Sequence, residues 1–177
     1  SCSGQCRAGF YCPANVLNTR PNPYPCGGDD LYCPMGSGFP LRVDTGFYSV
    51  PEGADNHRHR QNQTICEPGY YCEKGVRQRC PAGRYGTVEG LAHRNCSAEC
   101  PVGHYCPEGT PDPMKCPAGT FGESTGLSTA ECTGLCRPGF YCPAGSIMVN
   151  QSACRAGIYG AEYGLTNSQC SPHCEQA

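Results

Sequence analysis

Apolar side chains along this chain come as short aromatic steps. The step Gly69-Tyr70-Tyr71-Cys72 returns as Gly103-His104-Tyr105-Cys106, as Gly139-Phe140-Tyr141-Cys142 and, near the start, as Gly9-Phe10-Tyr11-Cys12. A second step, Cys80-Pro81-Ala82-Gly83-Arg84-Tyr85-Gly86, returns as Cys116-Pro117-Ala118-Gly119-Thr120-Phe121-Gly122 and Cys154-Arg155-Ala156-Gly157-Ile158-Tyr159-Gly160. Each copy of the second step is followed by a Gly-Leu pair: Gly90-Leu91, Gly126-Leu127 and Gly164-Leu165. These steps predict short hairpins with tiny apolar clusters, no strand much longer than four residues, and little or no helix. The Cys-Pro-Ala-Gly stretch predicts a tight turn, with proline at its second position and glycine at its fourth.

Composition explains why the apolar pattern is so thin. Leu, Ile, Val and Phe are 22 of the 177 residues, and there is no Trp. That level is ordinarily read as disorder, because so little apolar surface cannot offset the entropy of ordering a chain. Gly and Pro together make 41 residues. Cysteine compensates: there are 18, and a disulfide closing a loop of about 15 residues removes roughly 3 kcal/mol of unfolded-state entropy in the loop-closure picture. This density requires an oxidising compartment, so the expected location is extracellular, secreted or on the cell surface. No apolar run approaches the length of a membrane span. The chain opens at Ser1 without a leader, which reads as a mature protein or a piece of a longer one. A net charge of −2 gives no case for nucleic acid. The basic stretch His57-Arg58-His59-Arg60 reads as a solvated loop.

From Cys66 onward the numbers of residues between cysteines run 5, 7, 15, 3, then 5, 9, 15, 3, then 5, 11, 15, 3, ending at Cys174. Residues 26–66 depart from this. Cys26 and Cys33 are separated by six residues, Val43 stands where a cysteine is due, and Asn62 stands where its 15-residue loop should close. Joint loss is what a bonded pair shows, since one leftover thiol would be reactive. The inferred pairs are Cys80–Cys96, Cys116–Cys132 and Cys154–Cys170. The short loops then close as Cys66–Cys72, Cys100–Cys106, Cys136–Cys142, Cys26–Cys33 and Cys6–Cys12. An interleaved pattern, for example Cys96 with Cys106, is the rival. Cys2 and Cys174 are left as candidates for inter-unit or intermolecular bonds. They fit either a window of a longer array or head-to-tail polymerisation. The units read as 1–25 (partial), 26–65 (irregular, one disulfide short), 66–99, 100–135 and 136–173, with 174–177 opening the next.

The consensus Cys-x-x-Gly-x-Tyr-Cys-Pro…Cys-Pro-x-Gly-x-Tyr-Gly…Gly-Leu…Cys-x-x-x-Cys resembles the ephrin-receptor-like cysteine-rich repeat. Its spacing is a cousin of epidermal-growth-factor-like and tumour-necrosis-factor-receptor-like modules. The resemblance covers 66–174 closely and 2–48 loosely. It implies elongated tandem modules without catalytic activity, of the kind found in extracellular surface and flagellar-hair (mastigoneme-type) proteins. The fold class expected is small and disulfide-rich: tandem elongated modules of short β-hairpins and turns, with no large hydrophobic core.

Other chemistry finds little footing. Structural zinc favours Cys-x2-Cys pairs, which are lacking, and His57, His59, His93, His104 and His173 are scattered. Asp29-Asp30 does not make the acidic cluster of a calcium-binding growth-factor-like module. No hydrolase, metalloprotease or phosphate-loop motif occurs, and the repeat consumes the thiols a cysteine nucleophile would need. Neither enzyme activity nor a metal nor a cofactor is expected. N-linked glycans are: Asn62-Gln63-Thr64, Asn95-Cys96-Ser97 and Asn150-Gln151-Ser152 are acceptor triplets, with Asn62 placed in an exposed long loop. The recurring Tyr11, Tyr32, Tyr71, Tyr105 and Tyr141 read as packing on the neighbouring disulfide, or as lateral contacts between rods. The function expected is a non-catalytic structural spacer, or a subunit of a surface coat or filament. Its partners would be neighbouring copies, flanking repeats of the same protein, or other surface glycoproteins, without membrane insertion in this segment. The alternative is a receptor or adhesin ectodomain binding a protein or glycan through the irregular 13–62 region.

Overall fold

The computed structural model describes residues 4–14, 24–51, 58–158 and 160–170. The chain divides into two compact units, Ser1–Arg79 with Val88–Arg94, and Cys80–Thr87 with Asn95–Ala177. The described residues contain no helix; they form sixteen strands joined as eight antiparallel pairs. In the first unit β1 (Phe10–Tyr11) pairs with β2 (Tyr24–Pro25), and β3 (Leu31–Tyr32) with β4 (Leu41–Arg42). There too β5 (Phe47–Pro51) pairs with β6 (Arg60–Ile65), and β7 (Tyr70–Glu73) with β8 (Val76–Arg79). In the second unit β9 (Arg84–Tyr85) pairs with β10 (Ala98–Glu99), and β11 (His104–Tyr105) with β12 (Met114–Lys115). The last pairs are β13 (Thr120–Phe121) with β14 (Gly134–Leu135), and β15 (Phe140–Tyr141) with β16 (Ser152–Ala153).

One register serves every pair. The residue after the turn faces the residue before the next cysteine position: Phe10 faces Pro25, Arg84 faces Glu99, His104 faces Lys115 and Thr120 faces Leu135. Each pair with its leading turn is a half-unit. These begin at Cys6, Cys26, Val43 and Cys66 in the first unit, and at Cys80, Cys100, Cys116 and Cys136 in the second. A ninth turn follows Cys154. Within each unit, neighbouring half-units exchange backbone hydrogen bonds by rule. The first residue of one donates to the turn carbonyl of the one before, as Cys100 N–H to Gly83 O and Cys116 N–H to Gly103 O, both 2.9 Å. The turn N–H donates forward to the residue after the next aromatic step, as Gly83 to Cys106 and Gly119 to Cys142, both 2.8 Å. Backbone groups of two-residue strands are satisfied this way, without a wide sheet.

The turn itself is one residue later than the sequence predicts. Arg84 N–H bonds the Pro81 carbonyl at 3.0 Å and Gly83 has φ of 84°. Proline is therefore the first residue and glycine the third, a type II turn whose third position requires φ > 0. The glycines also let backbones touch. A Cβ on Gly46 would lie 2.2 Å from the Gly90 carbonyl oxygen, on Gly83 2.4 Å from that of Gly126, on Gly103 2.6 Å from that of Gly145, and on Gly119 2.4 Å from that of Gly164.

Sulfur fills the space that side chains fill elsewhere. Among the described residues the largest fully buried side chains are Cys26, Cys33, Cys66, Cys80, Cys100, Cys106, Cys116, Cys136, Cys142 and Ser49. Beside them, among the described residues, only Tyr71, Phe121 and Leu165 bury a sizeable apolar group. Two strands exceed the expected length: β5 has five residues and β6 has six. They belong to the half-unit without cysteines.

Gly83→Ala is expected to destabilise the second unit well beyond the roughly 1–2 kcal/mol of a left-handed alanine, because its methyl meets a carbonyl. Gly139→Ala shares the turn geometry (φ 83°) but meets nothing within 4 Å among the described residues, and should cost only that conformational term. Chemical denaturation of the two variants, with disulfides intact, measures the difference.

Candidate functional site

The described residues hold eight disulfides, and these define the chemistry of the chain. Five close short loops: Cys6–Cys12, Cys26–Cys33, Cys66–Cys72, Cys100–Cys106 and Cys136–Cys142. Three close the longer ones: Cys80–Cys96, Cys116–Cys132 and Cys154–Cys170. Their Cα–Cα distances, 5.7 to 6.2 Å, are ordinary for the bond. Cys2 and Cys174 lie outside the described residues. Every described cysteine is disulfide-bonded, and no group of three or more His, Cys, Asp or Glu side chains fit to hold a metal ion occurs among the described residues.

The three long loops share a backbone feature that the sequence hides. Cys96, Cys132 and Cys170 sit at φ of 50°, 52° and 49°, a left-handed conformation costing about 1–2 kcal/mol for a residue with a Cβ. The staple holds each residue there. Its consequence appears where the staple is missing. Strand registers put Asn62 in the place of Cys132: Phe47 faces Ile65 as Thr120 faces Leu135. They put Val43 in the place of Cys116, with Val43 N–H on the Asp30 carbonyl (2.9 Å) as Cys116 N–H is on Gly103. Freed from the left-handed corner, Asn62 becomes an ordinary strand residue facing Val50. That is why β5 and β6 run on past the usual two residues.

Polar contacts hold this half-unit instead. Gln63 bridges to Asp44, accepting its N–H at 2.8 Å and donating to its carboxylate at 2.5 Å. Arg60 is buried, paired with Asp29, and donates to the Ser49 carbonyl at 2.7 Å. Ser49 Oγ donates to the Asp29 carbonyl at 2.6 Å. The basic stretch expected as a solvated loop is thus partly structural: Arg60 opens β6, and His59 stacks on Phe10 with ring centroids 4.4 Å apart. His57 and His173 lie outside the described residues. Nearby, the Arg77 guanidinium lies 5.3 Å from the Tyr48 ring and 4.8 Å from the Tyr70 ring, and pairs with Glu67. Burial pulls its pKa down, but the Glu67 carboxylate and the two tyrosines outweigh burial and raise it.

The first cysteine loop also differs from its sequence alignment. Gly9 N–H bonds the Cys33 carbonyl and Cys12 N–H bonds the Ser37 carbonyl. The matching bonds elsewhere are Gly83 to Cys106 and Gly86 to Thr110. Cys6 therefore holds the position of Cys80, and Cys12 that of Gly86. Sequence reasoning also missed a second turn, Pro-x-Gly-Ser/Thr after the tyrosine step, whose hydroxyl caps its own proline carbonyl. Ser37 does so at 2.7 Å, Thr110 and Ser146 at 2.6 Å. The signal lay in Cys33-Pro34-Met35-Gly36-Ser37, Cys106-Pro107-Glu108-Gly109-Thr110 and Cys142-Pro143-Ala144-Gly145-Ser146.

Asn62, Asn95 and Asn150 are all exposed, though Asn62 lies in β6 and not in a loop. Tyr71 is buried and donates to Gln78 at 2.6 Å, and Tyr11 stacks on Tyr24 at 5.3 Å. Tyr32, Tyr105 and Tyr141 are half-buried. In the first unit a wide-mouthed hollow of about 670 Å³ is lined by Asp29, Asp30, Arg42, Asp44, Glu73, Lys74 and His93 among others. Its charges are mixed in sign. His104, half-buried, has Nδ1 3.0 Å from the Val102 carbonyl.

The fold and disulfides define a small cysteine-rich repeat protein. Eight disulfides require an oxidising environment, and among the described residues no helix is long and apolar enough to cross a membrane. No family model matches the chain. It is similar to a protein described as the ABC-type transporter claG of Penicillium crustosum, 28% identical over 110 residues. That stretch covers 62% of this chain and only 11% of the transporter.

The double variant Cys116→Val/Cys132→Asn copies the natural half-unit at 43–65. It should fold and lose about 3 kcal/mol for its 15-residue loop. Cys116→Val alone should leave a reactive thiol at Cys132 and form mixed disulfides. Thiol counting by mass spectrometry and urea unfolding separate the two.

Proposed function

We propose that the chain is a non-catalytic extracellular structural protein, a disulfide-stapled and glycosylated spacer or subunit of a cell-surface coat or filament. The observation that carries this reading is the single hydrogen-bond rule repeated from half-unit to half-unit over a sulfur core. Within each compact unit the half-units contact their neighbours and bury almost nothing of their own, as in other linear repeats, whose stability is a sum of local and nearest-neighbour terms. Such a chain resists extension and proteolysis at every link. The cysteine loops and hairpins support the finer resemblance to ephrin-receptor-like repeats. The exposed Asn62, Asn95 and Asn150 suit N-linked glycans. Partners on this reading are neighbouring copies, flanking repeats or other surface glycoproteins.

A second reading is an ectodomain segment of a larger membrane protein, acting as receptor or adhesin. It is favoured by the similarity to a stretch of a transporter, and its ligand face would be the irregular half-units before Cys66.

The spacer reading predicts that protein secreted from a eukaryotic host resists proteinase K until reduced, and then falls to peptides throughout its length. Glycosidase release in oxygen-18 water should mark Asn62, Asn95 and Asn150 by conversion to labelled Asp. Rapid cleavage of the oxidised chain, or a soluble ligand held at the first unit, would turn the argument toward the second reading.

A further inference from the structure

One of the three acceptor triplets is built around a disulfide. In Asn95-Cys96-Ser97 the middle residue is half of the Cys80–Cys96 staple. In Asn62-Gln63-Thr64 and Asn150-Gln151-Ser152 it is a glutamine. The staple sets the shape of the triplet at 95. Cys96 sits in the left-handed corner at φ of 50°, and its partner Cys80 has no exposed surface. Asn95 stands just before that corner, where its carbonyl accepts from Arg84 Nε at 2.7 Å. Ser97 stands just after it. The Ser97 N–H donates to the Tyr85 carbonyl at 2.9 Å, and Ser97 Oγ accepts from the Thr87 N–H at 3.1 Å.

That hydroxyl belongs to the fold. The matching staple further on carries Glu131-Cys132-Thr133. There the Thr133 N–H donates to the Phe121 carbonyl at 2.8 Å, and Thr133 Oγ1 accepts from the Glu123 N–H at 3.1 Å. The hydroxyl therefore recurs, with the same two bonds, where no asparagine precedes it. At 95 an asparagine takes the place of Glu131 and turns a structural Cys-Ser pair into an acceptor triplet. An enzyme that selects Asn-x-Ser/Thr reads the third hydroxyl together with the asparagine amide. In the closed loop Thr87 already holds that hydroxyl, and the corner at Cys96 bends the backbone between the two residues to be read. Before closure the chain can present both. A sugar already attached is no obstacle to closure, since Asn95 is exposed with the staple in place.

We infer that sugar transfer to Asn95 must precede closure of the Cys80–Cys96 disulfide, and that closure, when it comes first, shuts the site. The two reactions use different atoms. In one, Asn95 Nδ2 attacks the anomeric carbon of a sugar carried on a lipid pyrophosphate. A C–N bond forms, the C–O bond to the pyrophosphate breaks, and Nδ2 passes one proton to a base of the transferase. In the other, the two thiols give up two protons and two electrons to a disulfide-bearing oxidant, which leaves as a dithiol. What competes is backbone shape. Disulfide formation takes seconds to hours depending on the oxidant, so the oxidation rate sets how long Asn95 stays open to the enzyme. No staple runs through the other two triplets. The inference rests on the glycosylated, extracellular reading above and adds the order of events at one of its sites.

Site occupancy tests it, read by peptide mass spectrometry after glycosidase release in oxygen-18 water. The sample is all the chain a eukaryotic secretion host makes, retained and secreted, so a variant that folds badly still reports. In the unaltered chain Asn95 should be the least occupied of the three sites. Cys80→Ser keeps the letters of the triplet and removes the staple. Occupancy at Asn95 should then rise severalfold, or appear where there was none, while Asn62 and Asn150 hold. A pulse of dithiothreitol during synthesis should have the same effect on Asn95. Cys116→Ser opens the matching staple at Cys132 and should leave Asn95 unchanged, which separates the local staple from general misfolding. Full occupancy of Asn95 in the unaltered chain, no rise with Cys80→Ser, or an equal rise with Cys116→Ser would overturn the inference and leave the glycosylated reading standing. A chain without sugar at any of the three sites would overturn both.

Discussion

Everything in this molecule depends on the sulfur–sulfur bond standing in for an apolar interior. Cys33, Cys66, Cys80, Cys100, Cys106, Cys116, Cys136 and Cys142 have no exposed surface at all, while Phe121 and Leu165 are the largest aliphatic or phenyl contributions to the buried set. A bond of this kind acts chiefly on the unfolded chain, so the folded half-unit can be two strands of two residues and still persist. Isolated hairpins that short are marginal in water.

The second constraint is close backbone approach. Once side chains no longer separate the layers, carbonyl oxygens land on turn glycines at distances no Cβ could share. Glycine is thus required twice at positions such as Gly83 and Gly119, by a positive φ and by the oxygen above it. The half-unit at 43–65 shows what happens when one constraint is lifted. Without the cysteines at Val43 and Asn62 the left-handed corner disappears, the strands lengthen, and Arg60, Asp29, Ser49, Asp44 and Gln63 supply polar contacts. Arg60 brings a charge into a buried place, which a disulfide does not, and it is paired there with the half-exposed Asp29 of the preceding half-unit.

Sequence made the framework legible because cysteine positions are discrete. The joint absence at 43 and 62 spoke for pairing across the long loop, since a chain seldom keeps a lone half-cystine in an oxidising compartment. Backbone detail was less legible. The turn was placed one residue early because proline and glycine fit two frames of a four-residue turn, and only the Pro81–Arg84 hydrogen bond chooses. The loop at Cys6 was aligned by its Gly-Phe-Tyr-Cys letters with Cys66, whereas its partners are those of Cys80; letters repeat in both kinds of half-unit, and hydrogen bonds do not. Arg60 was read by charge, and charge says nothing about a buried carbonyl waiting on the far side of a hairpin.

The gap that grows along the chain has a structural reason. The 15-residue gap is held constant because a staple spans it, and the 5-residue gap because it is the loop of the smaller ring. The gaps of 7, 9 and 11 residues are the connections of β7 to β8, β11 to β12 and β15 to β16. The shortest is a two-residue turn at Lys74 and Gly75, φ 52° and 75°, the mirror-type turn that suits strand twist. Growth comes in twos, and a strand pair has a side-chain period of two. Adding two residues therefore lengthens the loop while Tyr71, Tyr105 and Tyr141 keep their place one residue before a cysteine. The loops still deliver a carbonyl to the residue after the aromatic step whatever their length: Gly75 to Ser49, Thr110 to Gly86, Ser146 to Gly122. Loop length is free to vary in a chain of this design because it is the one segment that neither a staple nor the strand register holds.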